Sequence, residues 1–411
     1  MTFVLVSACA AAGAAVPSPA RAQAASPEPA VRAAEPLVRV GIRVGVPAVR
    51  LESPAGLLLS DARSGRELAR IGPGETVELS RDGAGLALPG TATASAPVFA
   101  LRVDPEAGGP VVVDGEPYRG RLEVIAVEDS AVSAINVLPL ESYLLGVVPL
   151  EIGPRGESEL AAVQAQAVAA RTYAVAHLDG HPEMGFDLFA TVEDQVYGGL
   201  AVERELASRA VRSTAGRILT FDGLPIRAYY HSTCGGRTAP VEEVLDRPAA
   251  PYLRAVDDRA PDGTDWCAIS PRHRWTRAWS DAELAGPVPD ELARMFGTGA
   301  GVVGPVEELR VLERTPSGRV RSLAVRGPRS ELVVERLDIR FALRGGEGEI
   351  LGSTAFEIDE GPDGTTVLHG RGYGHGAGMC QWGAIGRARA GHGYEAILAA
   401  YYPAAELTRV Y

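Results

Sequence analysis

Residues 157–178, ESELAAVQAQAVAARTYAVAHL, carry the strongest helix signal in the chain. Ala, Leu, Gln, Glu and Arg have high helix propensity, and neither Gly nor Pro interrupts the stretch. Gln164, Val168, Arg171 and Val175 are spaced at i, i+4, i+7 and i+11, so they share one helix face. The stretch therefore predicts one long, alanine-rich helix that packs closely against its neighbours.

Strand-like runs lie on both sides of this helix. The runs VRVGIRV, PVFALRV and RLEVIAV precede it, and EELRVLERT, GRVRSLAVRG and SELVVERLDI follow it. Gly, Pro and Asp separate the runs, which is typical of short strands joined by tight turns. Two short helices, GMCQWGAIGRARA and YEAILAAYY, are predicted near the end. We expect an α+β fold with two lobes, in which β-rich segments flank a mixed core that holds the long helix.

Length and composition agree with a soluble globular chain. The 411 residues are 46% hydrophobic and 22% charged, which excludes a disordered polymer, a fibrous repeat and a disulfide-dense miniprotein. The net charge of −12 makes a nucleic-acid partner an unfavourable interpretation. All the basic residues are Arg, so Schiff-base and P-loop lysine chemistry are excluded.

The first residues predict export. An apolar run from Phe3 to Val16 ends in small residues, and Ala20-Arg21-Ala22 fits a cleavage site. A lipoprotein signal that uses Cys9 is the alternative, and we favour cleavage near Ala22. No later stretch approaches 18 consecutive apolar residues, so no transmembrane segment is expected in the mature chain.

Composition shifts divide the chain into six parts. We predict a signal peptide over 1–22, an Ala/Pro-rich linker over 23–37 and an N-terminal β-rich region over 38–126. A mixed core over 127–280 that holds the long helix follows, then an inserted β-rich segment over 281–365. Residues 366–411 are expected to return to the core and complete its cleft.

Glu151 is the most suggestive acid in the sequence. It follows Val147-Val148-Pro149-Leu150 and precedes Ile152, so its surroundings are apolar. A carboxyl group that loses hydration has a raised pKa and can donate a proton near neutral pH. The alternative is a glutamate at the entry of the following helix, where the macrodipole favours negative charge.

Three cysteines remain after the leader: Cys234, Cys267 and Cys380. A Cys234–Cys267 disulfide would leave Cys380 as a free, buried thiol. Alternatively, His231 and Cys234 form half a zinc site that Cys267 or His375 completes. The sequence leaves both alternatives open.

The run GRGYGHGAG over 370–378 has glycine at every second position. An extended strand would expose bare backbone on one face and carry Arg371, Tyr373 and His375 on the other. It would serve either as a ligand surface or as a tightly packed core strand. A further polar cluster, with Asp187, Glu193 and Asp194, is either a site or a solvated loop.

Six segments, taken together and in order, resemble the stage II sporulation protein D (SpoIID) and LytB amidase-enhancer family. The resemblance runs from about Leu138 to Tyr402, interrupted by the β-rich stretch 281–360. The segments are LPLESYLLGVVPLEIG, AVQAQAVAARTYAV, DQVYGG, YYHSTCGGRT, PYLRAVDD and GRGYGHGAGMCQWGAIGRARAGHGYEAILAAYYP.

The resemblance implies an exported, cell-wall-associated lytic transglycosylase. Such enzymes cleave between N-acetylmuramic acid (MurNAc) and N-acetylglucosamine (GlcNAc) in glycan strands, preferably peptide-stripped ones, and leave 1,6-anhydro-MurNAc ends. The family's V-V-A/P-x-E pattern assigns the catalytic acid to Glu151. The substrate-binding residues that we assign from the matched segments are Arg171, Gln164, Tyr229, His231, Tyr373 and His375.

The chain also departs from the family. Some members carry Cys and His before the Q-V-Y motif, where a metal is associated with the site, whereas this chain has Phe189, Glu193 and Asp194. We therefore assign no metal and no cofactor. Gln164 replaces the Lys of many members. The alternatives to the enzyme are a non-catalytic LytB-type amidase enhancer, with a cell-wall amidase as partner, and a scaffold that shapes the wall.

Overall fold

The computed structural model describes residues 34–83, 85–87, 97–127, 130–297, 303–344 and 349–411. The predicted signal peptide, the alternative lipidation site Cys9 and most of the predicted linker lie outside these residues. Helices and strands mix along the described chain, so the predicted α+β class is confirmed. No helix in the described ranges is long and apolar enough to cross a membrane.

Short strands occupy the chain before the first helix, as the alternating runs predict. They are β1 Leu37–Val46, β2 Ala48–Glu52, β3 Leu57–Asp61, β4 Glu67–Ile71, β5 Thr76–Asp82, β6 Gly85–Leu86, β7 Ala100–Pro105, β8 Val111–Val113, β9 Glu116–Tyr118, β10 Arg121–Val127 and β11 Ala131–Pro139. Strand β1 lies antiparallel to β11 and places Val38 and Val40 in the core. A five-stranded sheet has the order β6-β5-β2-β8-β9.

The central part of the chain contains the longest helices described, and the predicted long helix is confirmed as α2. Its elements are α1 Leu140–Ile152, α2 Leu160–Ala176, β12 Leu188–Phe189, α3 Glu205–Ser213, β13 Arg217–Phe221, β14 Leu224–Pro225, β15 Tyr230–His231 and α4 Val241–Val244. Strand β12 joins the edge of the seven-stranded sheet, whose order is β12-β1-β11-β10-β7-β3-β4.

A second apolar core lies in the later β-rich part of the chain. The elements there are β16 Arg274–Trp279, α5 Asp281–Ala285, α6 Pro287–Phe296, β17 Glu308–Arg314, β18 Val320–Arg326, β19 Glu331–Glu335, α7 Asp338–Ala342, β20 Phe356–Glu360 and β21 Thr366–Arg371. The core runs from Trp279 to Leu368, and the sheet β16-β21-β20 closes one side of it. The boundaries 281 and 365 stay predictions.

The last residues return to the main core. They form β22 Met379–Cys380, α8 Gln381–Arg389, α9 Tyr394–Tyr401 and β23 Glu406–Arg409, which confirms the two predicted helices. Strand β22 lies parallel to β15, and β23 lies antiparallel to β13. Helix α2 consequently packs against α1, α3, α8, α9 and β13. Its alanines, many of them fully buried, permit this close approach from several sides.

An ion pair fixes the start of α1 to the middle of α2. The Arg171 guanidinium is fully buried and donates to both carboxylate oxygens of Glu141, at 2.8 and 2.7 Å. It also donates to the carbonyl oxygens of Val211 and Arg217, both at 3.2 Å. The Tyr411 hydroxyl donates to Glu141 at 2.6 Å. Burial raises the pKa of Glu141, but Arg171 and Tyr411 outweigh it and hold that pKa below its ordinary value.

We predict that Glu141→Ala destabilises the protein, because it leaves the Arg171 charge buried without its partner. The free energy of unfolding should fall by about 2–4 kcal/mol, somewhat less than for a fully buried pair because Glu141 is partly exposed. Urea denaturation followed by circular dichroism measures the change.

The control for this prediction is Glu157→Ala, which breaks an exposed pair with Arg209. Solvent screens an exposed ion pair, so this variant should unfold at close to the wild-type urea concentration. If the two variants lost equal free energy of unfolding, the buried pair would stabilise the fold no more than the exposed pair does.

Candidate active site

Glu151 lies in the last turn of α1, which ends at Ile152. The interpretation of Glu151 as a helix-entry residue is wrong, because α2 begins only at Leu160. At the carboxyl end of a helix the macrodipole disfavours a negative charge. The position of Glu151 in the fold therefore favours the protonated carboxyl group.

Two donors hold the Glu151 carboxyl group. The backbone N–H of Val196 donates to Oε1 at 3.0 Å. The Tyr230 hydroxyl is the second donor near the carboxyl group, where it favours the ionised form and lowers the pKa. Gln195 Nε2 donates to the Tyr230 oxygen at 2.9 Å, which leaves the Tyr230 proton for Glu151. The Tyr143 hydroxyl in turn donates to Gln195 Oε1 at 3.2 Å. This hydrogen-bond network fixes the orientation of the Glu151 carboxyl group.

Burial raises the pKa of Glu151 to about 7, against the opposing effect of the hydrogen bonds from Val196 and Tyr230. An ordinary glutamate is almost fully ionised at neutral pH. The pKa of Glu151 instead lies close to physiological pH. A group in this range can both donate and accept a proton under physiological conditions.

Glu151 lines a cavity of about 370 Å³. Aromatic and apolar side chains form much of its wall, together with two further acids: Tyr173, Val192, Glu193, Asp194, Val196, Tyr229, Tyr230, Leu245, Leu337 and His375. An adjoining cavity of about 800 Å³ shares Tyr173, Tyr229, Leu245, Glu193 and Asp194 with it. The two form one groove, with Glu151 in its narrower part.

His375 is brought into the Glu151 cavity by the return of the C-terminal residues. The backbone N–H of Ala377 donates to His375 Nδ1 at 3.1 Å, so the ring proton is on Nε2, which donates to the Tyr230 carbonyl at 2.9 Å. Burial lowers the pKa of His375 to about 4. The ring is therefore neutral at physiological pH and braces the backbone of Tyr230.

His231 lies behind the cavity wall. Its ring is 5.4 Å from that of His375, and it is buried. Nδ1 donates to the carbonyl of Ala377 at 3.1 Å, and burial lowers the pKa of the imidazole well below its ordinary value. A buried neutral His231 supports the His375 segment rather than contacting a ligand in the groove.

The glycine-rich run is a loop, and its prediction as an extended strand is wrong. Strand β21 ends at Arg371, and Gly372, Gly374, Gly376 and Gly378 have φ between 70° and 109°. Left-handed residues at every second position turn the chain repeatedly, which only glycine does without strain. A Cβ at Gly374 would meet the His231 side chain, so the loop is tightly packed.

Tyr373 consequently does not share a face with His375. Its ring lies 4.0 Å from the Arg272 guanidinium and lines another cavity, with Trp275 and Gly352. The left-handed glycines on both sides of Tyr373 direct it away from the groove. The assignment of Tyr373 to the Glu151 cleft is corrected accordingly.

Arg171 and Gln164 also lie away from the groove. Arg171 has no exposed surface because its guanidinium satisfies Glu141 and the adjacent carbonyls. Gln164 donates from Nε2 to the Ser213 hydroxyl on α3 at 2.9 Å. Neither side chain lines the Glu151 cavity or the cavity that adjoins it, so the structure does not bring them into the groove.

The predicted polar cluster divides into two parts. Asp187 is buried and accepts the backbone N–H groups of Arg39 and Asp179, at 2.7 and 2.9 Å, so it is structural. Glu193 and Asp194 line the groove. Asp194 accepts hydrogen bonds from the Tyr173 hydroxyl and from the backbone of Phe189, both at 2.9 Å.

Sequence reasoning missed Tyr230, although it lies next to the assigned Tyr229. Both tyrosines line the cavity, and Tyr230, the first residue of β15, is the one that interacts with Glu151. The signal that could have revealed it is the QVY segment, since Gln195 needs a buried polar partner.

The three described cysteines form no disulfide. The sulfur atoms of Cys234 and Cys267 are 3.6 Å apart, and Cys380 lies beside them. Asp258 completes a buried group of four potential ligands. His231 does not belong to this group, so the predicted half-site His231–Cys234 is corrected.

Comparisons with known proteins point to one family. The family profile described as stage II sporulation protein matches residues 128–221, and a domain of unknown function matches 262–378. Stage II sporulation protein D of Bacillus subtilis is 30% identical, over 69% of this chain and 78% of that protein. An uncharacterized protein of Brachyspira hyodysenteriae is 32% identical, over 71% and 72% respectively. The amidase enhancer of Bacillus subtilis is 28% identical, over 75% of this chain and 47% of its own length.

We predict that Glu151→Gln removes part of the pH dependence of stability. The folded protein raises the pKa of this carboxyl group from 4.5 to about 7, so folding favours its protonated form. The resulting stabilisation is complete below about pH 4.5 and is lost as pH rises through about 7. We therefore compare the free energy of unfolding of the variant with that of wild type at each pH. The difference should shift in favour of the variant by roughly 1–3 kcal/mol between pH 5 and pH 8.

Urea denaturation at both pH values measures this difference. The exposed Glu157→Gln is the matched control and should track wild type throughout. A Glu151→Gln curve that runs parallel to wild type between pH 5 and 8 would mean that Glu151 has an ordinary pKa.

Proposed function

The chain belongs to the stage II sporulation protein D family, and from this premise we propose that it is a peptidoglycan lytic transglycosylase. It cleaves the MurNAc-GlcNAc bond of peptide-stripped glycan strands and leaves 1,6-anhydro-MurNAc ends, with Glu151 as general acid and base. The names of the relatives support a cell-wall-related role. The observation that carries the finer proposal is a carboxyl group with a pKa of about 7 in an aromatic-lined groove.

One carboxyl group is enough for this reaction. Protonated Glu151 donates its proton to the glycosidic oxygen as the bond from that oxygen to the anomeric carbon breaks. The 6-hydroxyl of the same MurNAc then attacks the anomeric carbon, and the Glu151 carboxylate accepts the hydroxyl proton. No water is consumed, and Glu151 returns to its protonated state. A pKa near 7 suits both halves of the cycle.

Other groove residues would position the glycan. Tyr173 and Tyr229 line both cavities, and their rings are suited to contact the apolar faces of sugars. Tyr230 orients Glu151, and the neutral His375 holds the Tyr230 backbone in place. Leu337, from the later β-rich part of the chain, contributes to the wall, so that part of the chain also shapes the groove.

Two other acids in the groove invite comparison with a hydrolase. A glycoside hydrolase uses a second carboxylate as nucleophile or base and incorporates water. Asp194 accepts hydrogen bonds from Tyr173 and Phe189. Glu193 is exposed and is therefore the more accessible second carboxylate. The chemistry of the product separates the two mechanisms, because hydrolysis leaves a reducing sugar and transglycosylation leaves an anhydro sugar.

The proposed setting is extracytoplasmic. Glycan strands of the wall are the proposed substrate, which requires export through the predicted leader, or anchoring at Cys9 as the alternative. The similarity to a protein named amidase enhancer favours a second candidate function. In that case the groove grips the wall or a cell-wall amidase without cleaving bonds.

We predict that Glu151→Gln abolishes product formation. The amide cannot donate the proton to the leaving oxygen, so the rate should fall by at least about 10²–10⁴-fold. Mass spectrometry of products from peptide-stripped and intact peptidoglycan measures anhydro-MurNAc ends. Glu157→Gln makes the same chemical change outside the groove and should retain activity.

Each outcome of this experiment has a definite meaning. Anhydro ends from wild type but not from Glu151→Gln support the transglycosylase. Reducing ends would replace it with a hydrolase in which Glu193 is the next residue to substitute. No sugar cleavage on either substrate would contradict the enzyme, and added amidase would then test the enhancer.

We also predict that Tyr230→Phe shifts the pH profile of cleavage. Its hydroxyl favours the ionised carboxylate, so its removal raises the pKa of Glu151 further. The alkaline limb of kcat/KM should move upward by about one pH unit. Tyr252→Phe, outside the groove, should leave that limb in place. A lower rate with an unshifted limb would mean that Tyr230 does not act through Glu151.

A further inference from the structure

A buried cluster of metal-ligand type lies outside the groove. Cys234, Cys267, Cys380 and Asp258 place their ligand atoms within 4.8 Å of one another. None of the four residues is more than 1% exposed. They come from three separate stretches of the chain: Cys234 follows β15, Asp258 and Cys267 lie between α4 and β16, and Cys380 ends β22.

The spacing fits a tetrahedral ion. The Cys234 and Cys267 sulfurs are 3.6 Å apart, and Cys234 Sγ lies 3.2 Å from Asp258 Oδ2. Zinc–sulfur bonds of about 2.3 Å in tetrahedral geometry separate two sulfurs by about 3.8 Å. Three thiols cannot all pair as disulfides, whereas a single cation engages all of them.

Asp258 divides its two oxygens between different partners. Oδ1 accepts the Tyr401 hydroxyl at 2.7 Å and Arg387 Nη2 at 3.1 Å. Oδ2 points toward the sulfurs. A carboxylate held by outer donors on one oxygen and free on the other is the arrangement of an oriented metal ligand.

Backbone donors contact the Cys380 sulfur. The N–H groups of Cys234 and Gly383 donate to Cys380 Sγ, both at 3.2 Å. Such donors stabilise thiolates, which are the form that binds a metal.

Cationic groups near the cluster complete its charge balance. Besides Arg387, the buried Arg319 lies close enough to Cys234 to interact with it, and its Nη1 has no hydrogen-bond partner among the described residues. Several buried anionic ligands are costly without positive charge nearby. Three thiolates and one carboxylate carry four negative charges, of which a divalent cation balances two and the two arginines balance the other two.

We infer that Cys234, Asp258, Cys267 and Cys380 bind one Zn²⁺ ion as a closed, structural site. Thiolate-rich tetrahedral ligand sets favour zinc, and four protein ligands leave no open position for catalysis. Binding displaces the thiol protons to solvent. The ion joins β15, the stretch before β16 and the start of α8, so it holds in place the backbone behind His231 and His375.

The first test measures metal in the full, purified chain. Plasma mass spectrometry should find about one zinc per chain, and intact-protein mass spectrometry after denaturation should find every described cysteine reduced. Replacement by Co²⁺ should give the charge-transfer absorption of cobalt–thiolate bonds. A strong chelator should lower the Tm of the protein.

A second test uses a conservative variant outside the ligand set. Tyr401→Phe keeps the ring but removes the donor to Asp258, so it should weaken zinc affinity by about 10–100-fold while the chain remains folded. Cys380→Ser should lose the site and the cobalt–thiolate absorption. His369→Gln, at an exposed histidine in β21, controls for adventitious binding and should retain full zinc content.

Two results would overturn the inference. One is a Cys234–Cys267 disulfide in the purified chain, seen as a linked peptide pair without metal. The other is a reduced chain that neither contains zinc nor binds added Zn²⁺ or Co²⁺. Neither readout depends on glycan cleavage, so this site and the proposed function stand or fall separately.

Discussion

The fold depends most on the buried pair of Arg171 and Glu141. A guanidinium without exposed surface must have all its donors satisfied, and here the partners come from α1, α2, α3 and β13. The Tyr411 hydroxyl donates to the Glu141 carboxylate as well, so Tyr411 is held against the same pair. The pair thus sets how α1 lies on α2. Because Glu151 is in the last turn of α1, this packing also determines where the acid meets Val196 and Tyr230.

In the candidate site the fold alters the pKa of one carboxyl group chiefly by burial. Desolvation is the dominant effect on Glu151, and its hydrogen bonds reduce that effect without cancelling it. The donors are themselves ordered by Gln195 and Tyr143. Two neutral histidines occupy the adjoining wall, so they shape the groove without adding charge to it.

Local patterns in the sequence predicted local structure well. Helix α2, the two C-terminal helices and the short strands follow from periodicity and propensity, and the apolar neighbours of Glu151 indicated its burial. Features that depend on distant partners were beyond that reasoning. The assignment of Arg171 to substrate comes from the matched segment, and no local pattern reveals its partners Glu141 and Tyr411, which are far away in sequence. The glycine run resembles a strand because left-handed residues at alternate positions repeat with the period of a strand.

The groove is assembled from segments that are very far apart in the chain. Gln381 donates to the carbonyl of Glu151 across 230 residues, and His375 reaches Tyr230 across 145. A chain emerges from the ribosome with its N-terminus first, and contacts of such long range form late in folding. Glu151 therefore stays without its histidine wall until nearly the whole chain is available. An incompletely synthesised or truncated chain contains Glu151 but lacks the C-terminal residues that complete the groove. The site therefore forms only near the end of synthesis.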